Sequence, residues 1–131
     1  EPCALGTPLA MVGGYGSGCE NMCRGVEERR LRNSLDSYAV GVPWMTTADE
    51  IDDPDDLDLS LSVNGEVRQD SNTKNLIFDC RKLIEYASRF YTLYPGDILM
   101  TGTPEGVGPI EPGDHLVCQV DIIGKMELEV R

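Results

Sequence analysis

Two threonines flank a glycine at Thr101-Gly102-Thr103-Pro104, directly after a short apolar run, Ile98-Leu99-Met100. Pro95-Gly96 before the run and the threonine corner after it supply turn chemistry on both sides, which predicts a short strand delivering Thr103 at its carboxyl end. The chemistry of such a corner is recognition, with backbone groups and a hydroxyl offered to a ligand. Two turns around a buried strand explain the proline and glycines, but not the paired threonines. Pro112-Gly113-Asp114 repeats the first turn and leads into His115, the only histidine of the chain. Entering a strand straight after a turn, it reads as a structural or exposed side chain rather than a catalytic base.

Other chemistry-bearing patterns are weaker. Residues 49–58 hold seven acidic side chains, which raises calcium binding. An EF-hand loop alternates its ligands and needs glycine at its sixth position, whereas Pro54 interrupts this run and the next glycine is Gly65. The run reads as a solvated loop. Gly14-Tyr15-Gly16 fails the dinucleotide fingerprint because Cys19 stands where the third glycine belongs. Five cysteines (Cys3, Cys19, Cys23, Cys80 and Cys118) are odd in number and lack Cys-x-x-Cys spacing. That pattern indicates neither a disulfide framework nor a zinc site, and reduced thiols in a cytoplasm are the simpler expectation.

At 131 residues the chain reads as one domain, able to bury roughly two thirds of the surface its unfolded form exposes. Eleven basic against 23 acidic residues give a net charge of -12, which repels phosphate backbones and anionic bilayers. Neither nucleic acid nor membrane is an expected partner. No apolar run reaches spanning length and no signal peptide is evident, although the sequence opens at Glu1 rather than Met and a processed or truncated start is a live reading.

The elements that must position the corner follow from periodicity. Residues 1–19 are rich in glycine and proline around a small apolar centre and predict a loop or weak strand, while the mixed charges of residues 24–32 predict a solvated turn. Leu59, Leu61 and Val63 alternate with serines, Asn64-Gly65 suits a type I′ turn, and residues 66–69 return, which makes a β-hairpin. From Asp79 as N-cap, Cys80, Leu83, Ile84, Ala87 and Tyr91 recur at helical spacing, predicting one amphipathic helix packed on a sheet. Leu116, Cys118, Val120 and Ile122 alternate, Gly124-Lys125 turns the chain, and Met126, Leu128 and Val130 alternate again. The fold class is therefore α+β and β-rich, with strand pairing beyond the hairpins left open.

Taken together, Pro43-Trp44-Met45-Thr46-Thr47-Ala48-Asp49-Glu50-Ile51, Val63-Asn64-Gly65-Glu66-Val67-Arg68-Gln69, Pro95-Gly96-Asp97-Ile98 and the run from Thr101 to Gly108 resemble the fumarylacetoacetate hydrolase family in order and spacing. Residues 38–131 carry the close match, and residues 1–37 diverge. The resemblance implies a mixed β-sandwich or β-roll with one main helix, usually homodimeric. It also implies hydrolysis, isomerisation or decarboxylation of small β-keto or enol carboxylates with a divalent metal, Mg²⁺ or Mn²⁺, as in the breakdown of aromatic compounds. By the same resemblance Glu20 falls where the family has a metal-ligating aspartate, with Asn21 the alternative alignment, and Thr103 with Gly102 would bind substrate.

The chain also departs from the family pattern. Asn33 occupies the place of a lysine that holds the substrate's anionic oxygen, and an amide brings no positive charge. Two further glutamate ligands lie upstream of Glu20 in the family, where this chain has only Glu1, and the water-activating histidine of the lid has no counterpart. A lone carboxylate holds Mg²⁺ poorly. Two readings stand side by side: a metal-dependent enzyme of the family, or a catalytically impaired or truncated member that keeps the scaffold and the dimer surface. A third, an acidic module binding cations or a basic partner through residues 49–58, has charge alone in its favour.

Overall fold

Alternation of apolar and polar residues builds most of this molecule, a computed structural model that describes residues 9–22 and 35–131. The expectations placed on Asn33 and on residues 24–32 lie outside those bounds. In chain order the strands are β1 (Gly14–Tyr15), β2 (Gly18–Glu20), β3 (Ala39–Gly41), β4 (Thr46–Thr47), β5 (Asp58–Val63), β6 (Glu66–Asn72), β7 (His115–Val120) and β8 (Gly124–Glu129), with the helix α1 (Cys80–Ser88) between β6 and β7. Four of them form an antiparallel sheet in the order β6-β5-β7-β8, and β1 with β4 and β2 with β3 make two short ribbons. The glycine-rich start thus forms strands as well as loop.

Both central residues of the first hairpin turn have positive φ, 52° at Asn64 and 83° at Gly65, the conformation a type I′ turn requires. Asn64 also fastens this turn to the third strand. Its side-chain oxygen accepts from the His115 amide at 2.9 Å, and its amide nitrogen donates to Asp114 Oδ1 at 2.8 Å. In the sheet Val63 lies opposite Leu116, Leu61 opposite Cys118 and Leu59 opposite Val120, while Cys118 faces Met126. One face is therefore apolar, and Leu116, Val63, Cys118 and Met126 are buried there. At the end of the sheet Ile51, Leu57 and Ile123 form a cluster, with Tyr15 and Val120 packed against it. Burial pushes the Tyr15 phenol above its ordinary range, with the nearby Cys80 and Asp55 adding to the shift.

Three expectations are corrected. The second hairpin turns at residues 121–123, because Gly124 and Lys125 already pair with Val120 and Gln119. Ile122 stands at the tip with φ of 65° and is exposed, whereas Ile123 enters the core cluster. A three-residue turn breaks the simple alternation by one position. The helix starts where predicted, with Asp79 Oδ1 accepting from the Lys82 amide at 2.8 Å, but it ends at Ser88 and leaves Tyr91 exposed. The predicted apolar face is covered in part: Cys80 is buried and Leu83, Ile84 and Ala87 are half-buried, while Ile77, Phe78, Tyr86 and Phe90 beside that face are exposed. Residues 98–100 form no strand either: Ile98 is 87% exposed, and the segment pairs with no strand among the described residues. The flanking turns are present, with φ of 96° at Gly96 and 106° at Gly102, but no sheet edge receives the run between them.

Within the acidic stretch, Asp53 Oδ1 accepts from the Asp55 amide, Asp55 Oδ1 from the Cys80 amide, and Asp58 Oδ1 from Asn72 Nδ2. These carboxylates are turn and helix fasteners. Ile51 and Leu57 anchor the stretch from within, so it follows the core instead of looping freely.

Candidate ligand-binding corner

Position 68 is the pivot of the site. Ser62 pairs with Val67 and Leu61 with Gln69, so Arg68 is the extra residue of a β-bulge. Without the bulge Arg68 would stand opposite Leu61 on the apolar face. With it, Gln69 occupies that place and is buried, while Arg68 is exposed on an edge strand. An amide on an apolar face must find partners, since an unsatisfied buried polar group costs about 1–3 kcal/mol. Gln69 Nε2 donates to Thr103 Oγ1 at 2.8 Å and to the Pro104 carbonyl at 3.0 Å. Those two bonds hold the threonine corner.

Close backbone approach reinforces them. A Cβ on Gly106 would collide with the Arg68 carbonyl, and Gly106 has φ of 99°, so glycine is required there on two counts. Nη1 of Arg68 lies against Gly108. At its other end the corner meets β2, where Met100 packs on Gly18: a Cβ there would sit 3.1 Å from Met100 Cε. Gly18 and Glu20 share that strand. The fold thus brings the start of the Thr101–Thr103 run to the strand that carries Glu20. Gly102 and Thr103 are themselves exposed, as is Glu20.

From β2, the Cys19 side chain meets Cys118 of β7. The Cys118 thiol hydrogen-bonds Cys19, which holds the Cys19 thiol down to about 7 against the opposing effect of burial, and the same contact pushes Cys118 up. Cys80, buried and beside Asp55, is pushed up to about 11 by burial first and that carboxylate second. All three are free thiols.

His115 is exposed, with Nε2 3.3 Å from Glu127 Oε2 across the β7–β8 pair, which places it as a surface partner on the second hairpin. Among the described residues no group of three His, Cys, Asp or Glu side chains is arranged to hold a metal ion. Glu20 alone does not fit Mg²⁺ or Mn²⁺, which take several oxygen ligands. Two concavities, one lined by Asp58, Asp70, Asn75 and Asp121 and one by Phe78, Leu83, Tyr86 and Arg89, include none of Glu20, Gly102 and Thr103. Among the described residues the corner is an exposed surface.

Sequence reasoning named Thr103 and Glu20 but passed over Gln69 and the bulge. The signal available was the run Glu66-Val67-Arg68-Gln69-Asp70, in which no alternation survives past the turn. Lost alternation on a strand that must pair is a bulge signature.

The family model described as "Fumarylacetoacetate (FAA) hydrolase C-terminal" matches residues 12–131. A maleylpyruvate hydrolase of Aquipseudomonas alcaligenes is 51% identical over 123 residues, 94% of this chain and 43% of that protein. The oxaloacetate tautomerase Fahd2a of Rattus norvegicus is 42% identical, over 72% of this chain and 32% of its own length. Among solved structures, maleylpyruvate hydrolase from Sphingobium sp. SYK-6 in complex with manganese (II) ion and pyruvate superimposes with a TM-score of 0.93 at 40% identity, covering 99% of this chain and 48% of that one. The chain spans less than half the length of each of these relatives, and over that span it shares the fold of the solved one.

Proposed function

The chain belongs to the fumarylacetoacetate hydrolase family, and from that premise we propose that it supplies the carboxylate-binding wall of an enzyme acting on small β-keto or enol carboxylates. Acylpyruvates are the favoured substrate class. The observation that carries this reading is the likeness to the manganese- and pyruvate-bound maleylpyruvate hydrolase over nearly the whole chain. In this proposal the Thr103 hydroxyl and the Gly102–Thr103 backbone receive a substrate carboxylate, with charge-assisted hydrogen bonds about twice as strong as neutral ones. Glu20 contributes one carboxylate toward a divalent ion, Mg²⁺ or Mn²⁺. The described residues do not complete that ion's shell, so no step of the reaction is assigned to it. Whether the chemistry is hydrolysis, isomerisation or decarboxylation is decided by groups beyond these walls. Homodimerisation belongs to the same proposal, as does a place in the breakdown of aromatic compounds. The exposed apolar side chains Ile77, Phe78, Phe90 and Ile98 offer surface for a partner copy. Among the described residues no helix is long and apolar enough to cross a membrane.

A second reading, a catalytically impaired family member, is favoured by the incomplete ligand set among the described residues. The two separate in one experiment, with maleylpyruvate as substrate and Mn²⁺ in excess. Turnover above the metal-only blank, lost in Glu20→Ala, supports the enzyme. No turnover together with no calorimetric Mn²⁺ binding refutes it in favour of the impaired member.

A further inference from the structure

The orientation of the Gln69 amide can be decided without seeing its hydrogens. One atom, Nε2, lies 3.0 Å from the Pro104 carbonyl oxygen and 2.8 Å from Thr103 Oγ1. Proline's carbonyl can only accept, so the atom facing it must be the NH₂ nitrogen, because the reverse orientation would set two acceptors against each other. The second N–H of that same nitrogen then points at Thr103 Oγ1, which accepts it. A hydroxyl that accepts on its inner side has its own proton free to point elsewhere. Thr103 is exposed and Gln69 is buried, so the free direction is outward.

We propose that Gln69 is a positioning residue that occupies one lone pair of the Thr103 hydroxyl and so leaves its proton to donate toward a ligand carboxylate. This rests on the reading of Thr103 as a substrate-binding residue. The bulge at Arg68 is what makes it possible: it turns Gln69, and not Arg68, onto the face from which the corner can be reached. The Pro104 carbonyl locks the amide, the amide locks the hydroxyl, and the hydroxyl presents one proton outward. Pre-orientation of the proton outward favours acceptors, and most of all anionic ones: a carboxylate or enolate oxygen gains a charge-assisted bond, whereas an ammonium group cannot accept that proton. It also removes the reorganisation that a freely rotating hydroxyl undergoes on binding.

The test is a double-mutant cycle on the full chain, with pyruvate in excess Mg²⁺ as the probe and its dissociation constant read by NMR titration. Thr103→Val should weaken pyruvate binding about tenfold, the scale of one charge-assisted hydrogen bond. Gln69→Met should weaken it by about fivefold in the native background and by less than twofold in the Thr103→Val background, since a positioning residue acts only through the group it positions. Equal effects in both backgrounds, or no effect of Gln69→Met beside a clear effect of Thr103→Val, would overturn the positioning role and leave the reading of Thr103 standing. Unchanged binding in Thr103→Val, or no pyruvate binding by the native chain, overturns that reading and this inference with it. A second measurement needs no change at Gln69: its side-chain NH₂ resonances should shift on adding pyruvate to the native chain and stay still in Thr103→Val. Silence of those resonances in a native chain that binds pyruvate also refutes the role.

Discussion

Replacing Gly106 with alanine should test how firmly the threonine corner is pinned to β6, provided the cost is compared with the same change at Gly102. Both glycines have φ near 100° (99° and 106°), so alanine meets similar backbone strain at each. That strain is of order 1–3 kcal/mol, partly offset by about 0.4–1 kcal/mol from a stiffer unfolded chain. They differ in surroundings. A Cβ on Gly102 meets nothing within 4 Å, whereas one on Gly106 runs into the Arg68 carbonyl. Arg68 belongs to a strand and cannot retreat, so the corner must lift. Lifting it breaks the two bonds from Gln69 and leaves that buried amide unsatisfied, at about 1–3 kcal/mol. Because the loop can detach without unfolding the sheet, the extra penalty cannot exceed the contacts it surrenders. The expected gap between the two variants is therefore about 1–3 kcal/mol, or roughly 3–12 °C in melting temperature for a chain of this size. Urea unfolding monitored by circular dichroism gives the free energies, and the amide resonance of Gln69 reports whether the loop has moved. If Gly106→Ala is no more destabilising than Gly102→Ala and Gln69 keeps its native shift, the close approach of loop and bulge does not exist in solution.

Two further outcomes concern titrating groups. The pH profile of Cys19 alkylation should have its midpoint at about 7 in the native chain and move toward the ordinary thiol value, about 8.5, in Cys118→Ala; a midpoint unmoved by that substitution would rule out the thiol–thiol contact. Asp79 is held below the ordinary carboxylate range by the Lys82 side chain first and the Lys82 amide second. A depressed folded value means its stabilising contribution is complete above the unfolded value, about 3.9, and is lost as pH falls through the folded one. Helical circular dichroism of the native chain should therefore decline more steeply below about pH 4 than that of Asp79→Asn, which caps without titrating, and equal slopes would show that the cap's charge is immaterial.

Local chemistry was legible wherever it was self-sufficient. Asn64-Gly65 allows one tight turn, and the strand before it alternates, so the hairpin follows from the residues alone. Asp79 ahead of an apolar series at helical spacing marks the start of α1 in the same way. The corner, too, announced itself as Thr101-Gly102-Thr103-Pro104 between turns, and its family likeness followed from several motifs in order. What failed were inferences about partners. Residues 98–100 have the composition of a strand, yet a strand exists only where another backbone receives its hydrogen bonds, and none does here. The helix is amphipathic, but amphipathicity does not say how completely its apolar side is covered: Cys80 is buried, whereas Leu83, Ile84 and Ala87 are only half-buried. Alternation through Ile122 was broken by the three-residue turn because Ile123 had a core to enter.

The bulge is the sharpest case of what tertiary structure alone decided. One extra residue in β6 reverses which side chain faces inward, and the lost alternation after the turn signals a bulge without stating whether Arg68 or Gln69 turns in. It is settled by register against β5 and by the loop that must lie on Arg68. The sequence by itself determined the corner's residues, the turns around it and the family they belong to. The tertiary structure decided that a buried amide would hold that corner and which way its hydroxyl would point, because hydrogen-bond direction depends on what two distant segments present to each other once packed.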